Sequence, residues 1–103
     1  MHNSQATDRT AQKKAAGSAF RALTGGKDLS KQERDTLFEV IIEAEQPWWA
    51  YNTLLEVTIT GNYREKLLAI IAQNSDKNCK YWTLKEIPNL GKFKVRMETA
   101  LAA

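Results

Sequence analysis

The chain has one cysteine, one histidine and two prolines among 103 residues, and these scarcities exclude much chemistry before any pattern is read. With Cys79 alone no internal disulfide forms, and a reducing compartment fits best. The one histidine is His2, at a terminus where no scaffold holds a general base, which argues against nucleophile–histidine catalysis. One Cys and one terminal His do not supply the four ligands of a zinc site. Long apolar runs are missing as well: the longest, 67–72, is far too short to cross a bilayer, and the N-terminus has no apolar core of the signal-peptide kind. The expectation is a cytoplasmic protein that is not an enzyme, with no cofactor, no metal and no membrane partner.

What is present reads as one helical domain. Hydrophobic residues make up 43% and charged residues 26%, ordinary for a globular chain long enough to bury a core. The net charge of +3 is unevenly placed: basic ends, 1–30 and 76–103, flank an acidic middle. Either the ends neutralise the middle in the folded state or they form a basic face. Residues 1–10 read as a flexible arm and 11–103 as a single domain. No internal repeat and no low-complexity linker is evident.

Helix signals follow in order. Alanines and long polar residues favour helix from about Ala11 to Thr24, closed by Gly25-Gly26. Gly25-Gly26-Lys27 invites a phosphate-loop reading, but no glycine precedes it at the required spacing and Asp28 stands where Ser or Thr is needed. Ser30 and Glu33 have capping-box form and open a helix to about Glu45. Pro47 suits the first turn of the next helix. On a wheel of roughly 100° per residue, Trp48, Tyr51, Leu54, Leu55 and Ile59 share one side. Asn52, Thr53 and Glu56 form the polar side, and Trp49 projects into its middle. Asn62 with Glu65 signals another cap, with helical spacing at Tyr63, Leu67, Ile70 and Ile71. In 77–87 the apolar positions scatter, which gives an irregular helix, and Thr83 with Glu86 offers a further cap. A last helix carries Phe93, Met97, Ala100 and Leu101 on one face. The fold expected is all-α, a compact bundle of five or six short helices joined by short connections.

Three features carry candidate function. Trp49 is either covered by the N-terminal arm or helix, or exposed as an aromatic anchor for a partner; Asn52 and Glu56 share its side. Glu39 and Glu43, one turn apart, form a solvated acidic face or a second patch for a cation or basic partner. Cys79 between Lys77 and Lys80 has surroundings that lower a thiol pKa, yet beside Tyr81 and Trp82 it also reads as core.

The segment Leu84-Lys85-Glu86-Ile87-Pro88-Asn89-Leu90-Gly91-Lys92 has the form of a helix-hairpin-helix. Residues 84–101 resemble the hairpin in the C-terminal domain of the bacterial RNA polymerase alpha subunit. The resemblance implies a tight turn whose backbone amides face a DNA phosphate, with Lys85, Asn89, Lys92, Lys94 and Arg96 as nucleic-acid contacts. That family is apolar at the positions held here by Val95 and Glu98, while the stripe here is Phe93, Met97, Ala100 and Leu101, so the second helix is phased differently. An ordinary helix–turn–helix corner is the other reading.

Two functions are therefore expected in order. The first is a small protein-binding regulator or inhibitor, of the kind bacteria, phages and plasmids encode, that covers a partner protein's surface through Trp49, Asn52, Glu56, Glu39 and Glu43. The second is DNA binding through the C-terminal hairpin. A homodimer that seals Trp49 also satisfies the sequence.

Overall fold

The computed structural model describes residues 3–59 and 61–103, with side chains described from Thr10 onward. Six helices, α1 (Asn3–Thr24), α2 (Lys31–Ala44), α3 (Pro47–Glu56), α4 (Tyr63–Gln73), α5 (Lys77–Glu86) and α6 (Lys92–Ala102), follow one another, and the described residues contain no strand. The fold is an all-α bundle. Helix α1 begins well before Ala11, so residues 3–10 of the expected arm are helical, while the first two residues lie outside those described.

Local chemistry sets most boundaries. Ser30 accepts from the Glu33 amide at 3.1 Å and Glu33 accepts from the Ser30 amide at 2.8 Å, a complete capping box. Those bonds, backbone first, hold the Glu33 carboxyl below its ordinary pKa. Pro47 is the first residue of α3. Two expected caps differ. Asn62 precedes α4 without a side-chain cap. Thr83 lies inside α5, where its buried hydroxyl donates to the Cys79 carbonyl at 2.7 Å. Asp76 caps α5 instead, accepting from the Cys79 amide at 2.9 Å. Helix α5 is regular throughout; its apolar positions scatter because Tyr81 and Trp82 are exposed rather than core.

The helices form three consecutive hairpins, α1–α2, α3–α4 and α5–α6. Each helix packs only against the next one or two in the chain. The odd-numbered helices consequently make one row and the even-numbered helices a second row against it. The overall extents, 39 × 38 × 19 Å, are those of a slab two helices thick. One apolar core runs between the rows, from Ala16 and Ala19 through Ile41, Ala50, Leu67, Leu68 and Ile71 to Phe93 and Met97.

This arrangement is an internal repeat of 30 residues, contrary to the expectation that the chain has none. Helices α3 and α5 start and end 30 residues apart, at Pro47 and Lys77 and at Glu56 and Glu86. At that offset 47–72 and 77–102 share Tyr51/Tyr81, Thr53/Thr83, Leu54/Leu84, Glu56/Glu86, Gly61/Gly91 and Ala72/Ala102. The shared residues do the same work. Thr53 and Thr83 are both fully buried, each donating at 2.7 Å to the carbonyl four residues back. Gly61 and Gly91 both take positive φ, 66° and 57°, which favours glycine at each hairpin turn. The first hairpin joins the series through its even helix, where Arg34, Leu37 and Ile41 stand 30 residues before Arg64, Leu67 and Ile71.

Arginine makes the step between hairpins. Arg34, in the first turn of α2, donates to the Thr58 carbonyl at 2.8 Å in the α3–α4 turn. Arg64, in the first turn of α4, donates to the carbonyls of Pro88 and Asn89 in the α5–α6 turn. These carbonyls lie in the turns, beyond the helix caps, and a planar guanidinium supplies several donors to such groups.

Candidate functional site

The outer side of the odd row collects the residues suited to contact. Helix α3 lies between α1 and α5, with Trp49 turned toward α1 and Trp48 toward α5. Gly17 of α1 leaves the space the Trp49 indole needs: a Cβ there would stand 2.9 Å from Cζ2. Phe20 packs against the same ring, with centroids 5.5 Å apart. Trp49 is thus half-buried beneath α1, in the floor of a groove with Lys13, Lys14, Ser18 and Arg21. On the other flank Trp48 meets Tyr51 edge-on, and its Nε1–H donates to Asp76 Oδ2 at 2.9 Å. That carboxylate joins α3 to the start of α5.

Between the two tryptophans Asn52 is partly exposed and Glu56 exposed, so Trp49, Asn52 and Glu56 do share one side of α3. Glu39 and Glu43, on α2, belong to the other row and do not join them. Both are exposed, and Glu39 accepts from the Tyr63 hydroxyl at 3.5 Å.

Sequence reasoning missed the aromatics that are most accessible. Trp48 is 40% exposed, Trp82 41% and Tyr81 49%. Lys85 Nζ lies 5.3 Å from the Trp82 ring centre and 5.8 Å from that of Tyr81, within cation–π range. The signal that could have found Trp82 and Tyr81 was the scatter of apolar positions in 77–87, since aromatics that fit no stripe have no core to enter. The row is also basic: α1 carries four Lys/Arg against one Asp, and α5 presents Lys77 and Lys85 against Glu86, its third lysine, Lys80, being buried.

The hairpin residues are placed as follows. Asn89 and Gly91 both have φ of 57°. Lys92 Nζ is 3.7 Å from a Glu65 carboxylate oxygen and, like Arg96, lies over the Phe93 ring. Lys94 is exposed, and Lys85 projects from α5 beside its aromatics. In the repeat this turn is the counterpart of 57–62 and carries the same arginine tether.

Cys79 is fully buried. Burial first, then the charge of Asp76, pushes its thiol up to about 12, so the flanking lysines do not make it a thiolate. Lys80 is also buried, and its ammonium donates to the Asn74 carbonyl at the end of α4. Among the described residues no three His, Cys, Asp or Glu side chains come together as a metal site, and no helix is long and apolar enough to cross a membrane. No protein-family model, curated protein or solved structure matches the chain, so its function is argued from this geometry alone.

Proposed function

We propose that this protein is a non-enzymatic binding module that covers an acidic surface of another protein with the outer side of its odd row, as a small regulator or inhibitor does. The observation that carries the reading is the exposure of Trp48 and Trp82 on a row whose surrounding charge is basic. Tryptophan, tyrosine and arginine dominate interface hot spots because large rings desolvate well at low entropic cost. The lysines of α1 and α5 set the sign of the partner's charge and the rate of encounter. Asn52 and Glu56 supply polar contacts between the rings.

The test is affinity capture from the cells that make the protein, comparing wild type with Trp82→Ala, Asn52→Arg and Glu43→Gln. A protein recovered in stoichiometric amount with wild type and Glu43→Gln, but lost with the other two, supports the reading. Equal recovery with all four chains removes it.

A second reading, nucleic-acid binding by the 85–96 hairpin, is favoured by the exposed Lys92, Lys94 and Arg96 that follow the turn at Asn89 and Gly91. Titration with duplex and single-stranded DNA at low and moderate salt separates the two. Micromolar binding that falls steeply with log salt, and is weakened by Lys92→Ala with Lys94→Ala, favours the hairpin. No binding at low salt eliminates it.

A further inference from the structure

The third hairpin presents, on its free side, the positions that receive a following hairpin in the first two. In the even row the receiving cation is Arg34 and then Arg64; the residue 30 positions further is Lys94, whose exposed side chain has no hydrogen bond or ion pair among the described residues. In the odd row Tyr51 is covered to 8% exposure, with Glu86 and Cys79 of α5 near its hydroxyl, whereas its counterpart Tyr81 is 49% exposed. Position 65, which pairs with Lys92 of the next hairpin, becomes Val95, an apolar side chain 66% exposed. Arrays of this kind need polar caps where stacking stops, and an exposed tyrosine and valine beside an unpaired lysine do not make one.

The opposite end of the slab has the complementary features. Ala11, Ala15 and Ala22 are exposed along α1, and a groove beside Ala22 is lined by Gly25, Leu29, Thr36 and Leu37. At the 30-residue offset Asp28, in the first turn, stands where Thr58 and Pro88 stand in the next two, the residues whose carbonyls accept from Arg34 and Arg64. Charge agrees in the even row: with Lys92 at Glu65, α6 keeps Lys94 and Arg96, and with Asp35 on Lys31 and Glu39 on Tyr63, α2 keeps Glu43 and the capping Glu33.

We propose that the array continues between molecules, with the third hairpin of one copy receiving the first hairpin of a second copy. Helix α6 then lies beside the α2 of the next copy and α5 beside its α1. Lys94 donates to carbonyls of the 25–30 turn, and Tyr81 packs on Ala15 and Ala22. The two surfaces differ, so the contact is head-to-tail and leaves a free end at each side of the assembly.

Sedimentation velocity over a micromolar to millimolar range tests this with variants that each disable one end. Wild type should gain mass past the dimer as concentration rises. Tyr81→Ala with Lys94→Glu, and separately Ala22→Arg, should remain monomers at about tenfold higher concentration than that at which wild type associates. Their equimolar mixture should form a 1:1 dimer and stop, because one live end remains on each chain. Lys94→Arg should associate like wild type. If Tyr81→Ala lowers the melting temperature, Val95→Lys disables the same end from a position that is already 66% exposed. A wild type that stays monomeric throughout, a one-end variant that still self-associates, or a mixture that stays monomeric overturns the proposal.

Discussion

Trp49 rests on Gly17, and the pair fixes how α1 lies on the rest of the slab. A methyl group at position 17 would fall 2.9 Å from Cζ2 and 3.4 Å from Cε2 and Cη2 of the indole. The ring cannot yield freely, since Phe20 packs against it. Alanine in a helix interior is favoured over glycine by about 1 kcal/mol, but overpacking costs about 1–3 kcal/mol. Gly17→Ala should therefore be neutral to destabilising rather than stabilising, with a red-shifted tryptophan emission as the ring is displaced toward water. Urea denaturation followed by fluorescence checks both. A stabilised variant with unchanged emission would show that the ring has room to spare.

The arginine steps predict two losses of ranked size. Arg64 makes two charge-assisted bonds to turn carbonyls and Arg34 makes one. Hydrogen bonds to charged groups contribute about 1.5–3 kcal/mol where they are sheltered, and both arginines are partly exposed, which reduces the figure. Arg64→Ala should cost about 1–2 kcal/mol and Arg34→Ala less. Arg64→Lys should recover part of the loss, because an ammonium reaches one carbonyl well but lacks the planar fork. Thermal melts of the three variants give the ranking; equal losses at both positions would contradict the tether account.

The helices were legible in the sequence because their ends carry specific chemistry: Ser30 with Glu33, Pro47, and the glycines at each hairpin turn. Their assembly was not. Only six positions of 26 are identical between 47–72 and 77–102, and the repeat is carried mainly by side-chain roles, such as Thr53 and Thr83 bonding back to their own helix. The odd helix of the first hairpin is offset by two more residues, with Thr24 ending α1 where Glu56 ends α3. Trp49 shows the limit of a helical wheel. A helix inside a row is covered by neighbours on both flanks as well as by the other row, so a residue beside the polar stripe can still be packed. The same wheel placed Trp48 on the apolar side, whereas its ring lies 40% exposed at the seam between α3 and α5.

Lys80 stands where the previous hairpin has Ala50, and both are buried. Its stem is buried, and its ammonium meets the carbonyl of Asn74, the C-cap of α4. A cation at a helix C-terminus answers both the open carbonyls and the negative end of the dipole. Lys80→Met preserves the stem and leaves that carbonyl unpaired, which should cost about 1–3 kcal/mol. Lys80→Ala should cost more, because the volume of the stem is lost too. Guanidinium titrations of the two variants check the order. A Lys80→Met chain as stable as wild type would mean that the bond adds nothing beyond the apolar stem.

Cys79 gives the alkaline limb of stability. Its thiol is pushed up to about 12 in the folded protein, burial being the main cause, whereas an unfolded thiol ionises near 8.5. A folded pKa above the unfolded one gives stability that is complete below about 8.5 and lost as pH rises toward about 12, because only the unfolded chain releases the proton in that window. Tyr51 and Tyr63, both raised chiefly by burial, act in the same direction at still higher pH. The difference between wild type and Cys79→Ala isolates the thiol. Their stabilities should run parallel from pH 6 to about 8 and converge above about 9 as wild type loses the larger share. Alkylation of the native protein at pH 8 should likewise proceed only at the rate of opening, and rise to that of a free thiol in denaturant. Fast labelling of the folded chain would place Cys79 at the surface and remove the basis for the pH effect.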